Sequence, residues 1–418
     1  MGTRIEVTRQ LKGGYHRAGK PEKSRILDHF CQSTGLGRST ARRYLTSPTL
    51  GSRNILRMDR RRSRPNKYST AAREKLLWLW RIMCMPCGKY LVADLPDWIT
   101  SLEGHGELKP DQDGWTEEVR RELLSMSAAT ADRYLKAERE RLRLKGISTT
   151  KPGVLLRNSI KIRKAGDEIP AEPGFFEVDT VAHCGPTLKG EFARTLTLTD
   201  VATGWVQLEA LRNNAHKHIH AALDAAMDSI PYRVQGLDCD NGSELVNYDV
   251  VRWAADRDLF FTRARPYRKN DQAHVESKNN HVVRRYGFYY RYDTTEELKT
   301  LAALWKLVCL KMNYYTATRK PIGWATDAAG RRKRIYDNPR TPLARLLQAE
   351  VLSRQQTEER ISLRNSTNPA ELTRDITRLQ CILTGLAKEK TEHLIEEAEE
   401  AKQRRLGRQK GGVRVVVQ

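Results

Sequence analysis

Residues 238–244 read Asp238-Cys239-Asp240-Asn241-Gly242-Ser243-Glu244, and thirty-five residues separate Asp240 from the acid in Asn270-Asp271-Gln272-Ala273-His274-Val275-Glu276-Ser277-Lys278. An acid before an Asn-Gly pair marks a strand running into a turn, and the second acid falls in a polar stretch that reads as helix. Upstream, Phe175-Phe176-Glu177-Val178-Asp179-Thr180-Val181 alternates as a strand and supplies a third carboxylate. If the strands of Asp179 and Asp240 are neighbours, their carboxylates meet at the sheet edge, and a helix packed across that edge brings in Glu276. Three hard oxygen donors without Cys or His ligand spacing favour Mg²⁺ or Mn²⁺ over zinc. Two such ions about 4 Å apart clamp the attacking and leaving oxygens of an in-line phosphoryl displacement.

Each strand also carries a rival acid. Asp238 shares strand parity with Asp240 but lacks the Asn-Gly neighbour and the spacing, and Glu177 competes with Asp179 in the same way. Asp240 and Asp179 are the better candidates. His183 lies close along the chain and reads as a fold residue. Around the trio, strands are predicted over 175–181, 192–198, 205–211, 233–239 and 259–262, with Asp200-Val201-Ala202-Thr203-Gly204 as a turn. Helices are predicted over 215–229, 245–256, 271–286 and from Thr294 to Tyr315, the last opened by a cap-like Thr-x-Glu signal. That order specifies an α/β domain with a mixed sheet.

Charge is distributed unevenly. The 418 residues carry a formal net charge of +23, a field that favours polyanions and nucleic acid first. Residues 1–67 hold 17 Lys/Arg against 4 Asp/Glu, whereas 173–316 hold 18 of each, so the binding charge and the carboxylates lie in different regions. Seven scattered cysteines give no disulfide framework and point to a reducing compartment. Cys84-Met85-Pro86-Cys87 lacks a second ligand pair and reads as packing. The most apolar run, Leu76 to Met85, contains Arg81 and is too short for a bilayer, and the N-terminus has no signal-like apolar stretch. A soluble intracellular protein with no membrane partner is expected.

Within 21–46, Ile26, Leu27 and Phe30 mark one helix, Thr34-Gly35-Leu36-Gly37 a break, and Ser39-Thr40-Ala41-Arg42-Arg43-Tyr44-Leu45 a second helix. Two short helices across a Gly-containing turn, the second basic, predict a helix-turn-helix with Arg42 and Arg43 toward DNA. Asp59-Arg60-Arg61-Arg62-Ser63-Arg64 follows as a basic linker suited to a phosphate backbone or minor groove. Thr130-Ala131-Asp132-Arg133-Tyr134-Leu135 repeats the residue types of Thr40–Leu45, which predicts a second unit of the same kind with Arg133 in the place of Arg43. Leu91, Leu95, Trp98, Ile99 and Leu102 suggest a helix between them, interrupted at Pro96. Near the third acid, Arg268, Lys269 and Lys278 are expected to face DNA by phosphate contact. Asn368-Pro369 opens a long charged helix expected to mediate assembly.

These contexts resemble the catalytic domain of retroviral integrases and the related insertion-sequence transposases of the DDE type, over about residues 173–316. The resemblance rests on Glu177-Val178-Asp179-Thr180, on Cys239-Asp240-Asn241-Gly242 and on Asn270 to Glu276 with its interval. It implies a ribonuclease H-like fold, two divalent ions held by Asp179, Asp240 and Glu276, and cleavage that frees a DNA 3′ end for joining to target DNA. It also places Tyr267 and Gln272 near the DNA end, and implies element ends, target DNA and at least a dimer as partners. A cytoplasmic, nucleoid-associated protein of a bacterial-type mobile element is the corresponding expectation. Cys239 stands where Ser or Thr is common, and neither a His-His-Cys-Cys zinc module nor a small C-terminal barrel is evident. The expected domains are a helix-turn-helix with basic linker at 1–67, a second helical DNA-binding domain at 68–145 and a basic linker at 146–172. The catalytic core at 173–316, a basic region of unassigned fold at 317–367, and a charged helix and tail at 368–418 complete the chain. His281, Arg284 and Tyr314 or Tyr315 superficially fit a covalent phosphotyrosine mechanism, but that reading needs another fold and leaves the carboxylates unexplained. Two further functions compete with transposition: a DNA-binding regulator with an inactive integrase-like domain, and a stand-alone nuclease.

Overall fold

The computed structural model describes residues 2–47, 67–141, 161–163, 172–239, 244–264, 273–326, 330 and 332–410. The chain forms two compact units, 1–67 and 68–418. In the first, α1 (Gly2–Arg17), α2 (Lys20–Thr34) and α3 (Arg38–Thr46) enclose Tyr15, Leu27, Phe30, Ala41 and Leu45. Gly35 ends α2 in the left-handed region at φ 68°, which glycine adopts without a Cβ penalty, and this turns the chain into α3. The expected helix pair is therefore present, with α1 packed against it.

The second unit begins with α4 (Thr70–Ile82), α5 (Gly88–Gly104), α6 (Glu117–Leu124) and α7 (Ala128–Arg141). α5 runs through Pro96, because Leu91, Leu95, Trp98, Ile99 and Leu102 all bury on one side of it and outweigh the lost hydrogen bond. The repeat seen in the sequence is also one of burial: Ala131 and Leu135 on α7 are buried as Ala41 and Leu45 are on α3. The copies differ at Asp132, whose carboxylate accepts the Gly88 N–H at 2.7 Å and pins α7 to the start of α5. A Cβ on Gly88 would lie 2.3 Å from the Ala128 carbonyl oxygen, so that contact requires glycine.

A six-stranded sheet follows. β1 (Lys161–Arg163), β2 (Phe175–Ala182), β3 (Arg194–Asp200), β4 (Val206–Leu211), β5 (Gly236–Cys239) and β6 (Phe260–Ala264) lie in the order β1-β6-β5-β2-β3-β4, with β3 alone antiparallel to its neighbours. β1 falls inside the stretch expected to be a linker. α8 (His216–Ser229) joins β4 to β5, and α9 (Tyr248–Ala255) joins β5 to β6. The helix expected over 271–286 is α10 (Ala273–Lys278), a π-helical turn at Asn279–Val283, and α11 (Arg284–Gly287). Even-numbered Phe176 of β2 stacks on Tyr232 beyond α8, while odd-numbered Glu177 and Asp179 contact the α10 segment, so the strand's alternation sorts its side chains onto two faces.

α12 (Thr295–Tyr315) opens with a full capping box between Thr294 and Glu297. It also ties the preceding helices to the sheet. The Trp98 indole N–H donates to the Tyr315 carbonyl at 3.0 Å, the Lys311 ammonium to Ile82 O at 3.2 Å, and Asp94 accepts the Ala317 N–H at 2.8 Å. Residues 68–141 and the sheet accordingly share one hydrophobic core. Residues 317–367 hold a β-ribbon of β7 (Pro321–Thr326) and β8 (Arg332–Tyr336), then α13 (Pro342–Gln348) and α14 (Arg354–Ser366). α15 (Pro369–Lys410) starts at the Asn368 cap, whose side-chain oxygen accepts the Ala370 N–H. Its stripe of Ala370, Leu372, Ile376, Leu383 and Ala387 is buried within this chain, and the Lys390 ammonium reaches Glu297 at 2.7 Å. Among the described residues no helix is long and apolar enough to cross a membrane.

Burial pushes the Asp94 carboxyl up to about 7, with Asp97 adding to it and the Ala317 N–H and Lys311 opposing. The folded chain therefore binds this proton more tightly than the unfolded chain, and the contribution to stability falls as pH rises from about 4 to about 7. Asp94→Asn keeps an acceptor for Ala317 and removes the buried charge. It is expected to stabilise the protein by on the order of 1–3 kcal/mol at pH 8 and by little at pH 4. Urea unfolding at both pH values checks this, and an equal effect at both would rule it out.

Candidate active site

β2 and β5 are adjacent and parallel, with Glu177 opposite Asp238 and Val178 opposite Cys239. Asp179 is half-buried near the middle of β2, on the odd-numbered face. One of its oxygens accepts the Thr180 N–H at 2.7 Å and the other the Asn279 side-chain N–H at 2.5 Å. Asn279 opens the π-helical turn and lies three residues after Glu276. Positions i and i+3 share a helical face, with Cβ atoms about 5–6 Å apart. The Asn279–Asp179 contact thus directs the Glu276 face of α10 at β2, and Glu276 itself is exposed.

The rival acids Glu177 and Asp238 are both engaged in hydrogen bonds inside the fold. Glu177 is buried and one of its oxygens accepts two backbone N–H groups, those of His274 and Val275, each at 2.9 Å. It thereby fastens the start of α10 to the strand that carries Asp179. Asp238 is fully buried and accepts the Thr262 hydroxyl of β6 at 2.6 Å. Glu244 accepts the Thr180 hydroxyl at 3.0 Å and pairs with Arg194 at 3.1 Å, which ties the start of the segment before α9 to β2 and β3. Residue spacing on its own gives no role to Glu244 or Asn279. Asn279 is discoverable from its i+3 relation to Glu276, and the tie made by Glu177 from its parity with Asp179.

The remaining candidate residues are placed as follows. Arg42 and Arg43 are exposed on α3, and Arg133 is exposed on α7. Lys278 is half-buried, and loss of hydration pushes its ammonium down to about 8. Asp240, Tyr267, Arg268, Lys269, Gln272, Arg60, Arg61 and Arg62 lie outside the described residues. His183 is fully buried, with Nε2 2.7 Å from the Thr195 hydroxyl, and burial holds its pKa well below the usual imidazole value. Tyr314 and Tyr315 are both buried, and the Tyr315 hydroxyl donates to the Thr367 carbonyl at 3.0 Å, an arrangement unsuited to a phosphotyrosine nucleophile.

Among the described residues no three His, Cys, Asp or Glu side chains cluster closely enough to hold a metal ion. Asp179 and Glu276 supply oxygen donors, one at the edge of burial and one exposed, and oxygen donors suit Mg²⁺ or Mn²⁺. Cys239, the last described residue before Asp240 in the sequence, pairs with Val178, the neighbour of Asp179.

A family model described as the integrase core domain matches residues 170–269, which include Asp179 and Asp240 and stop short of Glu276. Fold and family model together define a ribonuclease H-like integrase core flanked by helical regions. Over 351 residues the chain is 35% identical to the protein of Sinorhizobium fredii called "Uncharacterized protein y4rM", with 82% of this chain and 95% of that protein aligned. The chain belongs to the same family as y4rM, a family of integrase- and transposase-like proteins. Among solved structures, the catalytic core domain of BIV integrase matches 42% of this chain and 95% of its own at 16% identity, with a TM-score of 0.30.

Proposed function

We propose that the chain is a DDE-type DNA transposase that binds the ends of a mobile element, frees their 3′ hydroxyls and joins them to target DNA. The observation that carries the reading is the Asn279–Asp179 hydrogen bond, which brings the helix of Glu276 to the strand of Asp179 beside β5. Asp179, Asp240 and Glu276 would hold two Mg²⁺ or Mn²⁺ ions. When bound, such ions lower the pKa of an attacking hydroxyl and offset charge on the leaving oxygen. The protein's own residues supply position. Glu177 and Asn279 fix α10 against β2, Glu244 fixes the chain after Asp240, and no protein nucleophile is required.

Arg42, Arg43 and Arg133 would contact DNA from the two helix-turn-helix units, and Arg60, Arg61 and Arg62 from the linker. Tyr267, Arg268, Lys269, Gln272 and Lys278 would hold the DNA end. Joining two ends requires at least two protomers on paired DNA. The test is incubation of the purified chain with the DNA flanking its gene and a target plasmid in Mg²⁺ or Mn²⁺. Covalently joined products are expected. Nicking without joining would indicate a nuclease, and sequence-specific binding without cleavage a regulator.

The tie made by Glu177 gives a sharper prediction. Partners that orient metal-binding side chains typically account for 10–100-fold in metal affinity. Glu177→Ala is expected to raise the Mg²⁺ concentration for half-maximal joining by about tenfold, while Glu177→Gln, which keeps an acceptor oxygen for His274 and Val275, stays near the parent. An Ala variant with an unchanged metal requirement would remove Glu177 from this role.

A further inference from the structure

The ribbon of β7 and β8 lies outside the six-stranded sheet, and it is rigidly rooted. Arg345 is buried beneath it. Its guanidinium donates to the carbonyl of Thr203 at 3.2 Å and to that of Arg340 at 3.1 Å, and pairs with Asp337 at 3.0 Å. Asp337 in turn accepts the Lys320 N–H at 2.6 Å, and the Lys320 ammonium donates to the Ala202 carbonyl. The base of the ribbon is thus fixed to the turn between β3 and β4.

What the ribbon presents is unusual for a surface. Ile322, Trp324, Ile335 and Tyr336 are 66, 53, 43 and 40% exposed. Scattered surface hydrophobics need no explanation, but four on one small projection mark an interaction surface. Trp324 and Arg334 are register partners, and the Arg334 guanidinium lies 5.1 Å from the centre of the Trp324 ring. Tyr336, two residues along and therefore on the same face, has the Arg319 guanidinium 5.2 Å from its ring centre. Lys333 is exposed opposite Ala325. The strand residues 321–326 and 332–336 include no acid, and the sequence between them includes one, Asp327, against Arg331.

We infer that the β7–β8 ribbon is a docking surface for duplex DNA, separate from the carboxylate site. A two-stranded ribbon fits a major groove about 12 Å wide. Arginines held over aromatic rings present cationic groups of fixed orientation to phosphates or guanine edges. A second copy of this chain is the poorer partner, because a protein of net charge +23 repels a projection with a cationic excess. The inference rests on the proposed function in taking DNA as the substrate, and it adds a binding surface that the catalytic reading does not require.

The experiment is binding of the full chain to a fluorescent random-sequence duplex, in EDTA, over a salt series. Lys333→Gln/Arg334→Gln and Trp324→Ser are compared with the parent, and Trp324→Phe serves as the conservative control. The double variant is expected to bind about tenfold more weakly, with a slope of log affinity against log salt shallower by about 2, because each cation removed leaves one phosphate unneutralised. Trp324→Ser should weaken binding and Trp324→Phe restore most of it. Unchanged affinity and slope would overturn the inference. So would unchanged DNA binding with lost self-association in sedimentation, which would make the ribbon a protein interface. Because the assay contains no free divalent metal, its result is independent of catalysis. Joining that survives a failed ribbon test leaves the proposed function standing, and ribbon binding without joining leaves the reverse.

Discussion

Asp179→Asn is expected to lower metal-dependent joining of DNA ends about a thousandfold, while folding and DNA binding survive. A lost charge at a metal-assisted phosphoryl-transfer site removes several kcal/mol of transition-state stabilisation, and each 1.36 kcal/mol is a factor of about ten in rate. The substitution is nearly isosteric. The side-chain oxygen of Asn can still accept from Thr180 or from Asn279, although not from both as the two oxygens of Asp179 do. Asp179 is half-buried, so stability should stay within about 1 kcal/mol of the parent. Thermal unfolding and duplex binding run beside the joining assay separate a chemical loss from a structural one. A variant that joins ends within tenfold of the parent would remove Asp179 from the catalytic set.

The second large effect is structural. Trp305→Ala is expected to cost about 3–5 kcal/mol, the range for an aromatic deleted from a close-packed core. Trp305 is 1% exposed, and its indole N–H donates to the Thr195 hydroxyl at 2.9 Å. That hydroxyl also meets His183 Nε2, so one threonine on β3 joins α12 to the residue that follows β2. The ring is packed so tightly against α11 that a Cβ on Gly287 would lie 2.9 Å from it. Its removal leaves a cavity where α12, β3 and α11 converge. Urea denaturation should show a lower midpoint with an unchanged slope, and a shift below about 1 kcal/mol would contradict this packing.

Much of the sheet was legible because its signals are local. Alternation located β2, Asp200 to Gly204 read as the turn between β3 and β4, and Thr294 with Glu297 formed the cap that opens α12. What was not legible depends on distant partners. α1 contains Gly13 and Gly14 and has little apolar character of its own. It is helical because Tyr15 packs with Leu27 and Phe30. β1 is three residues long and exists as a strand by pairing with β6. The ribbon of β7 and β8 is fixed by Arg345, which follows it in sequence and reaches back to Thr203.

The candidate site divides in the same way. Residue spacing picked out Asp240 and Glu276 and strand context picked out Asp179, but neither could show that Glu177 and Asp238 are engaged inside the fold, since parity alone makes each equivalent to its neighbour two residues on. Nor could either reveal the π-helical turn that begins at Asn279, because a five-residue widening of a helix leaves no period of its own. Nor could spacing show that α15, read from sequence as a charged helix, buries an apolar stripe from Ala370 to Ala387 within its own chain.

The most direct measurement is joining of cognate DNA ends to a target in Mg²⁺ or Mn²⁺ by the parent chain and by Asp240→Asn, with binding of the same ends monitored in parallel. The parent is expected to form joined products, and Asp240→Asn to bind the ends normally and join none. Full joining by Asp240→Asn would contradict a catalytic centre built on Asp179, Asp240 and Glu276.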